Sequence, residues 1–201
     1  MDSCGPVVIR GSITLRTSFG DLSFRHLACA GQQGLIVAGL MQPRTPTPVR
    51  LQSSCVFSES FAAEDCDCAL QLASSLKIIS DEGGLVVYLY EEGRGAGLMT
   101  KIEAIRLQKE RGIDTAAAYD ALGLQRDLRD YSVAADAIRE VLGPGCPIEL
   151  LTNNPAKVES LVKHGINVVR RRPLVIPRTE AVSEYLKEKV KVLGHVIHFD
   201  E

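Results

Sequence analysis

The chain has 201 residues, 45% of them hydrophobic and 24% charged, with a formal net charge of −2. That balance belongs to a globular protein able to bury its own core, and one domain over residues 1–201 is the expected organisation. A near-neutral charge excludes a general nucleic-acid-binding surface, which needs a basic excess, but leaves room for a local pocket that takes one small anion.

Tryptophan is absent and aromatics make up 5%, so the core has to be aliphatic. The opening MDSCGPVVIRGS has no basic segment followed by an apolar run, and no stretch reaches about 18 apolar residues. Neither a secretory signal nor a membrane span is therefore expected. A cytoplasmic location follows, where thiols stay reduced, and the six cysteines need a reading other than disulfides.

From Val7 to Leu40 the pattern is short and β-like. ITLRTSFGDLSFRHLA reads as two strands around Phe19, Gly20 and Asp21, and GLIVAGL as a third. MQPRTPTP, with three prolines, is a loop. VRLQSSCVF reads as a strand containing Cys55. Ala69, Leu72, Ala73, Leu76 and Ile79 then follow helical spacing. LVVYLY is a continuous apolar run suited to a buried strand.

GLMTKIEAIRLQKERG predicts a helix closed by Gly112, and YSVAADAIREVLG another that ends at Gly143. IELLT is a short strand. NPAKVESLVKHG is a helix with Asn154 as cap and Pro155 at its first position. INVVRRRPLVI returns as a strand, and TEAVSEYLKEKVKVLGH is a last amphipathic helix. The alternation predicts an α/β (α+β) fold, a mixed sheet core with flanking helices, with the β-rich N-terminal part packed against it.

Cys55, Cys66 and Cys68 form a C-x10-C-x-C pattern. A structural zinc site usually takes four protein ligands, whereas three leave a position for water, the arrangement of a catalytic zinc. Zinc lowers the pKa of such a water from 15.7 to about 7. Cys66 and Cys68 also stand at the start of a helix, whose partial positive charge favours thiolates. The other reading is three small buried hydrophobes. A Cys-Asp-Cys triplet on a polar loop makes a poor core element and tips the balance toward metal. Cys4, Cys29 and Cys146 show no partner pattern.

YLYEEGRGAGLMTK reads as strand, Gly-rich turn, helix. Gly93, Gly95 and Gly97 would let the backbone approach a ligand beside a helix N-terminus. The spacing is neither the dinucleotide fingerprint nor a P-loop. Glu92 adds a carboxylate that can accept from a guanine edge, and Arg94 a fork of donors for phosphate, against the alternative of a tight turn with solvated charges. LLTNNPAK repeats the topology and puts Thr152 and Lys157 on one crevice edge. LQRDLRDY sets Asp127 and Arg129 two apart before a helix; for both segments capping and surface charge are the ordinary explanation.

In this order CDCALQL, EEGRGAGL, LGLQRDLRDY and LLTNNPAKVESLVKHGI resemble GTP cyclohydrolase II, from about Val7 to His195. The resemblance implies that Cys55, Cys66 and Cys68 hold one Zn2+ per chain and that Mg2+ accompanies the triphosphate. It implies that Arg50, Gln71, Glu92, Gly93, Arg94, Thr115, Thr152 and Lys157 contact the nucleotide. Asp127 matches the family's proton acceptor, and Arg129 the arginine that engages the α-phosphate as pyrophosphate leaves. The implied reaction opens the guanine imidazole ring of GTP at C8 and releases formate and pyrophosphate, giving 2,5-diamino-6-ribosylamino-4(3H)-pyrimidinone 5′-phosphate. The family works as a homodimer.

The chain departs from the family's pattern in three places. The family's Arg-Val-His-Ser-Glu-Cys here reads Arg50, Leu51, Gln52, Ser53, Ser54, Cys55, so Gln52 and Ser54 replace a histidine and a carboxylate. Ile105 stands where the family carries a tyrosine near the zinc water. Asp65 stands where a basic residue usually precedes the second zinc cysteine. Three outcomes remain open: the full GTP reaction, a paralogue that stops at a formamidopyrimidine or takes another purine nucleotide, and a nucleotide-binding protein without catalysis.

Overall fold

The computed structural model describes residues 6–29 and 31–174. In chain order the elements are β1 (Val8–Thr17), β2 (Gly20–Cys29), β3 (Gln32–Gly39), β4 (Thr47–Ser53), α1 (Val56–Phe61), α2 (Cys68–Glu82) and β5 (Leu85–Leu89), then a single 3-10 turn (Gly93–Gly95). They continue with α3 (Gly97–Arg111), α4 (Thr115–Ala121), α5 (Ser132–Leu142), β6 (Ile148–Leu151), α6 (Pro155–Lys163) and β7 (Val168–Arg172). The last helix predicted from sequence and Cys4 lie outside the described residues.

Among the described residues the strands form one seven-stranded mixed sheet in the order β1-β2-β3-β5-β4-β6-β7. The β-rich N-terminal part, expected from sequence to pack against the α/β core, meets it edge to edge. It extends the sheet, because β3 pairs antiparallel with β5 from Gly34↔Leu89 to Ala38↔Leu85. Gly34 permits this pairing, since a Cβ there would stand 2.1 Å from the Tyr88 carbonyl oxygen. On the other side of β5, the strands β4, β6 and β7 are parallel to it and to one another.

Two faces of the sheet are covered. Leu22, Val37 and Val86 pack on Ile79, with Leu72 and Leu76 of α2 against them. On the other face Val49, Leu51, Val87, Ile148 and Leu150 meet Ile138 of α5 and Leu161 of α6. Each fully buried aliphatic side chain contributes on the order of 1.5–3 kcal/mol. A third cluster joins α3 to α4 through Ala104, Leu107, Ala118 and Tyr119. The connection from β4 runs to β5 and that from β6 runs to β7, in opposite directions. A crevice opens at the C-terminal ends of strands that part in this way.

Local signals explain the helix ends. Asn154 accepts from the Ala156 amide at 3.0 Å, with Pro155 in the first turn of α6. Gly112 closes α3 in the left-handed conformation at φ 63°. One predicted placement changes. β4 ends at Ser53, and Cys55 falls beyond it as the residue before α1, because the Glu59 amide bonds back to the Cys55 carbonyl and starts a helical turn.

At Gly39 the backbone of β3 comes against α2, where a Cβ would stand 1.9 Å from the Ile79 carbonyl oxygen. Gly39→Ala is therefore expected to cost about 1–3 kcal/mol through overpacking. The check is the urea midpoint, which should fall without a change in the slope of the transition.

Candidate active site

A cavity of about 810 Å³ opens at the C-terminal ends of β4, β5 and β6. Its walls come from the β4–α1 segment, the start of α2, the Gly-rich turn, α3, α4 and the start of α6. Of the residues singled out from sequence, Arg50, Gln52, Ser54, Cys55, Cys66, Cys68, Gln71, Gly93, Arg94, Ile105, Thr115, Arg129, Thr152 and Lys157 all line it.

The three thiols converge. The sulfurs of Cys55, Cys66 and Cys68 all lie within 4.8 Å of one another, and those of Cys55 and Cys66 are 3.6 Å apart. Sulfurs on a tetrahedral zinc ion with bonds of about 2.3 Å stand about 3.8 Å apart; the Cys55–Cys66 separation matches this, and the trio as a whole is gathered closely enough to share one ion. Hydrogen bonding with Cys66 and Cys68 holds the Cys55 thiol well below its usual pKa; burial opposes this and the Lys101 ammonium 3.1 Å from the sulfur reinforces it. The Cys66 thiol is pushed up, chiefly by its hydrogen bond with Cys55.

A polar chain runs along the cavity floor. Arg50 is 4% exposed, and burial lowers its pKa to about 10. Its guanidinium donates to the Leu151 carbonyl at 3.0 Å and to the Gln52 and Gln71 side chains at 2.7 and 2.5 Å. Gln71 in turn donates to Asp67 at 2.6 Å, and Asp67 is fully buried. Gln52 accepts from Arg50 and donates to Glu59 at 2.8 Å. Glu59 also accepts from the Tyr88 hydroxyl at 2.5 Å and the Cys55 amide at 3.3 Å. An amide suits this position because it can accept from a cation on one side and donate to a carboxylate on the other.

The Gly-rich turn is fixed from outside. Arg94 adopts a left-handed φ of 53° and lies 5.5 Å from the centre of the Tyr119 ring. The Tyr119 hydroxyl donates to the Gly93 carbonyl at 2.7 Å, and the Leu128 amide to the Arg94 carbonyl at 2.9 Å. Gly95 has φ 86°, and a Cβ there would stand 3.1 Å from the Leu128 carbonyl carbon. Thr115 donates to Gln108 at 3.2 Å, and both line the cavity.

Arg129 points into the cavity, while Asp127 stands behind it. The Asp127 side chain is 37% exposed and pairs with the Arg129 guanidinium at 2.8 Å. Burial works to raise the Asp127 pKa, but the guanidinium prevails and keeps it below the ordinary carboxylate value. Lys157 is 6% exposed, donates to the Leu51 carbonyl at 2.9 Å and lies 5.5 Å from the Tyr131 ring centre. Thr152 is buried, and its hydroxyl accepts from the Asn154 amide at 3.0 Å.

The two adjacent carboxylates after β5 part company. Glu92 turns toward the cysteines, where it accepts from the Val56 amide and from Lys101. Glu91 lines the cavity; Gln32 donates to its Oε1 at 3.0 Å, and its Oε2 is buried without a hydrogen-bond partner among the described residues. Sequence reasoning missed Glu91, Glu59 and Lys101. Lys101 did carry a signal, as the first charged residue of the helix after the Gly-rich turn.

Burial raises the Glu91 pKa, with Arg129 opposing. A carboxyl raised in the folded state loses stability as pH climbs from the unfolded value through the folded one. Glu91→Gln is thus expected to melt a few degrees higher than the parent at pH 7, with the gap closing toward pH 4, as thermal unfolding at the two pH values will read.

Comparison with known proteins adds a family to this geometry. The family model described as GTP cyclohydrolase II matches residues 9–173. The riboflavin biosynthesis protein RibBA of Endomicrobium trichonymphae is 38% identical over 92% of this chain and 46% of its own length. That of Bacillus velezensis is 44% identical over 77% of this chain and 38% of its own. That of Staphylococcus epidermidis is 37% identical over 95% of this chain and 48% of its own. The chain thus spans less than half the length of these curated relatives.

Proposed function

The chain belongs to the GTP cyclohydrolase II family, and on that premise we propose that it hydrolyses GTP, opening the guanine imidazole ring at C8 with loss of formate and pyrophosphate. The expected product is 2,5-diamino-6-ribosylamino-4(3H)-pyrimidinone 5′-phosphate. One observation carries the reading: three thiols gathered within 4.8 Å of one another line the same cavity as Arg50, Arg129 and Lys157.

Cys55, Cys66 and Cys68 would hold one zinc ion, which supplies an acidified water for hydrolysis. The remaining work falls to side chains of this chain. Arg129 and Lys157 present fixed positive charge to the phosphates, Arg129 as a planar fork able to take two oxygens at once. Asp127 holds that fork in place and stays ionised beside it; the proton-accepting role that the resemblance implies would fall to it from behind the arginine. The backbone of Gly93 and Arg94 and the side chain of Thr115 would border the base. Magnesium would arrive with the triphosphate, since a hard cation keeps phosphates and water and adds one or two carboxylates. Glu91, which lines the cavity, is the carboxylate best placed for that part.

No helix among the described residues is long and apolar enough to cross a membrane. A cytoplasmic location and assembly as a homodimer belong to the same proposal, and sedimentation of the purified protein tests the second.

A second reading has a specific ground. Ile105 lines the cavity, and an aliphatic side chain can neither donate nor orient a proton. Ring opening would then proceed while formate stays attached, leaving a formamidopyrimidine. Mass spectrometry of the products from GTP, with GDP and GMP as comparison substrates and formate assayed in parallel, decides between the readings. One formate per GTP consumed supports the full reaction; a product that retains the carbon supports the second. Unchanged GTP with a zinc-loaded protein would sink both.

A further inference from the structure

Three thiolates around a divalent ion carry one net negative charge, which is costly to hold in a half-buried place unless a cation stands nearby. Lys101 supplies one. Its ammonium donates to the Cys55 sulfur at 3.1 Å and to Glu92 at 2.7 Å, with the Phe57 ring centre 5.2 Å away. The Lys101 and Glu92 side chains are only 18% and 13% exposed. The other Glu92 oxygen accepts from the amide of Val56, the residue that follows Cys55. The contacts close a ring: carboxylate to ammonium, ammonium to sulfur, sulfur through its own backbone to the next amide, amide back to the carboxylate.

We propose that Lys101 is a positioning residue of the metal site, its ammonium held by Glu92 and hydrogen-bonded to the Cys55 sulfur so that this ligand stays aimed and charge-compensated. The inference rests on reading the three thiols as a metal site. It also accounts for Glu92, which, with both oxygens engaged, ties the Gly-rich turn to the cysteine segment and leaves contact with the base to its neighbours. Removing the outer partner of a metal ligand typically weakens metal binding about ten- to hundredfold. The rival role for Lys101, which lines the cavity, is a plain phosphate contact.

The test is zinc affinity, read by competition with a chromogenic chelator, on the whole chain and on Lys101→Met and Lys101→Arg. Lys101→Met keeps the length of the side chain and removes charge and donor. It should raise the zinc dissociation constant about ten- to hundredfold, and Lys101→Arg should recover most of the loss. In cobalt-loaded protein the sulfur-to-metal charge-transfer band should move to lower energy in Lys101→Met, because an ammonium hydrogen bond stabilises the sulfur lone pair. If Lys101→Met does not fold, Glu92→Gln replaces it, with weaker zinc binding in the same direction. Zinc affinity and cobalt band unchanged in whichever variant folds would overturn the proposal. Weaker nucleotide binding with zinc affinity unmoved would do so too, by assigning Lys101 to phosphate. A parent chain that takes up no zinc refutes the metal reading itself, whereas one that binds zinc yet leaves GTP intact refutes only the proposed reaction.

Discussion

Cys66→Ala is expected to take the zinc content from about one ion per chain to near none and to cut GTP consumption at least about a thousandfold, since a Lewis-acidic ion supplies several kcal/mol and each 1.36 kcal/mol is tenfold in rate. Cys66 is the informative member of the trio. It sits half-buried on the segment before α2, whereas Cys55 is 3% exposed and its loss would also disturb packing. Atomic absorption after dialysis reads the metal, and the ultraviolet change on ring opening reads the reaction. Unchanged circular dichroism separates loss of the ion from loss of the fold. Full activity in the metal-free variant would mean that the thiols gather for some other reason.

Arg129→Ala is expected to lower kcat/KM about a hundred- to a thousandfold, in line with a buried charge-assisted contact worth roughly 2–5 kcal/mol. Lysine should restore only part of it, because an ammonium is a point charge and cannot reproduce the two-pronged pairing now made with Asp127. Asp127→Asn should be milder in nucleotide binding than in turnover, since it leaves the arginine in place but removes the acceptor. A coupled pyrophosphate assay alongside nucleotide binding separates these effects. Rates within about twofold of the parent for Arg129→Ala would place the phosphates elsewhere in the cavity.

How far the sequence revealed this arrangement depended on how local each cause was. β5, α3 and α6 were readable because an apolar run, a helical period and terminal residues such as Gly112, Asn154 and Pro155 act within a few positions. α1 and α4 have six and seven residues, too few for a period to register, and the alanines of TAAAYDA carry no amphipathic pattern. The thiol spacing identified the metal candidates but said nothing of Lys101, which meets Cys55 only through folding, 46 positions along the chain. The neighbours Glu91 and Glu92 look equivalent in sequence. They separate because successive residues leave an extended segment on opposite sides, one toward Gln32 and the cavity, the other toward Val56 and Lys101. Extension of the sheet by β1, β2 and β3 also escaped the sequence, since strand pairing partners are chosen by tertiary contact.

X-ray absorption at the zinc edge addresses the shared premise of these expectations, that three cysteines hold an ion with one position left to the reactants. The spectrum should fit three sulfur scatterers at about 2.3 Å and one oxygen or nitrogen, with the light scatterer alone changing when a GTP analogue is added. Four sulfurs, the closed shell of a structural zinc, or a first shell with no sulfur at all, would contradict it.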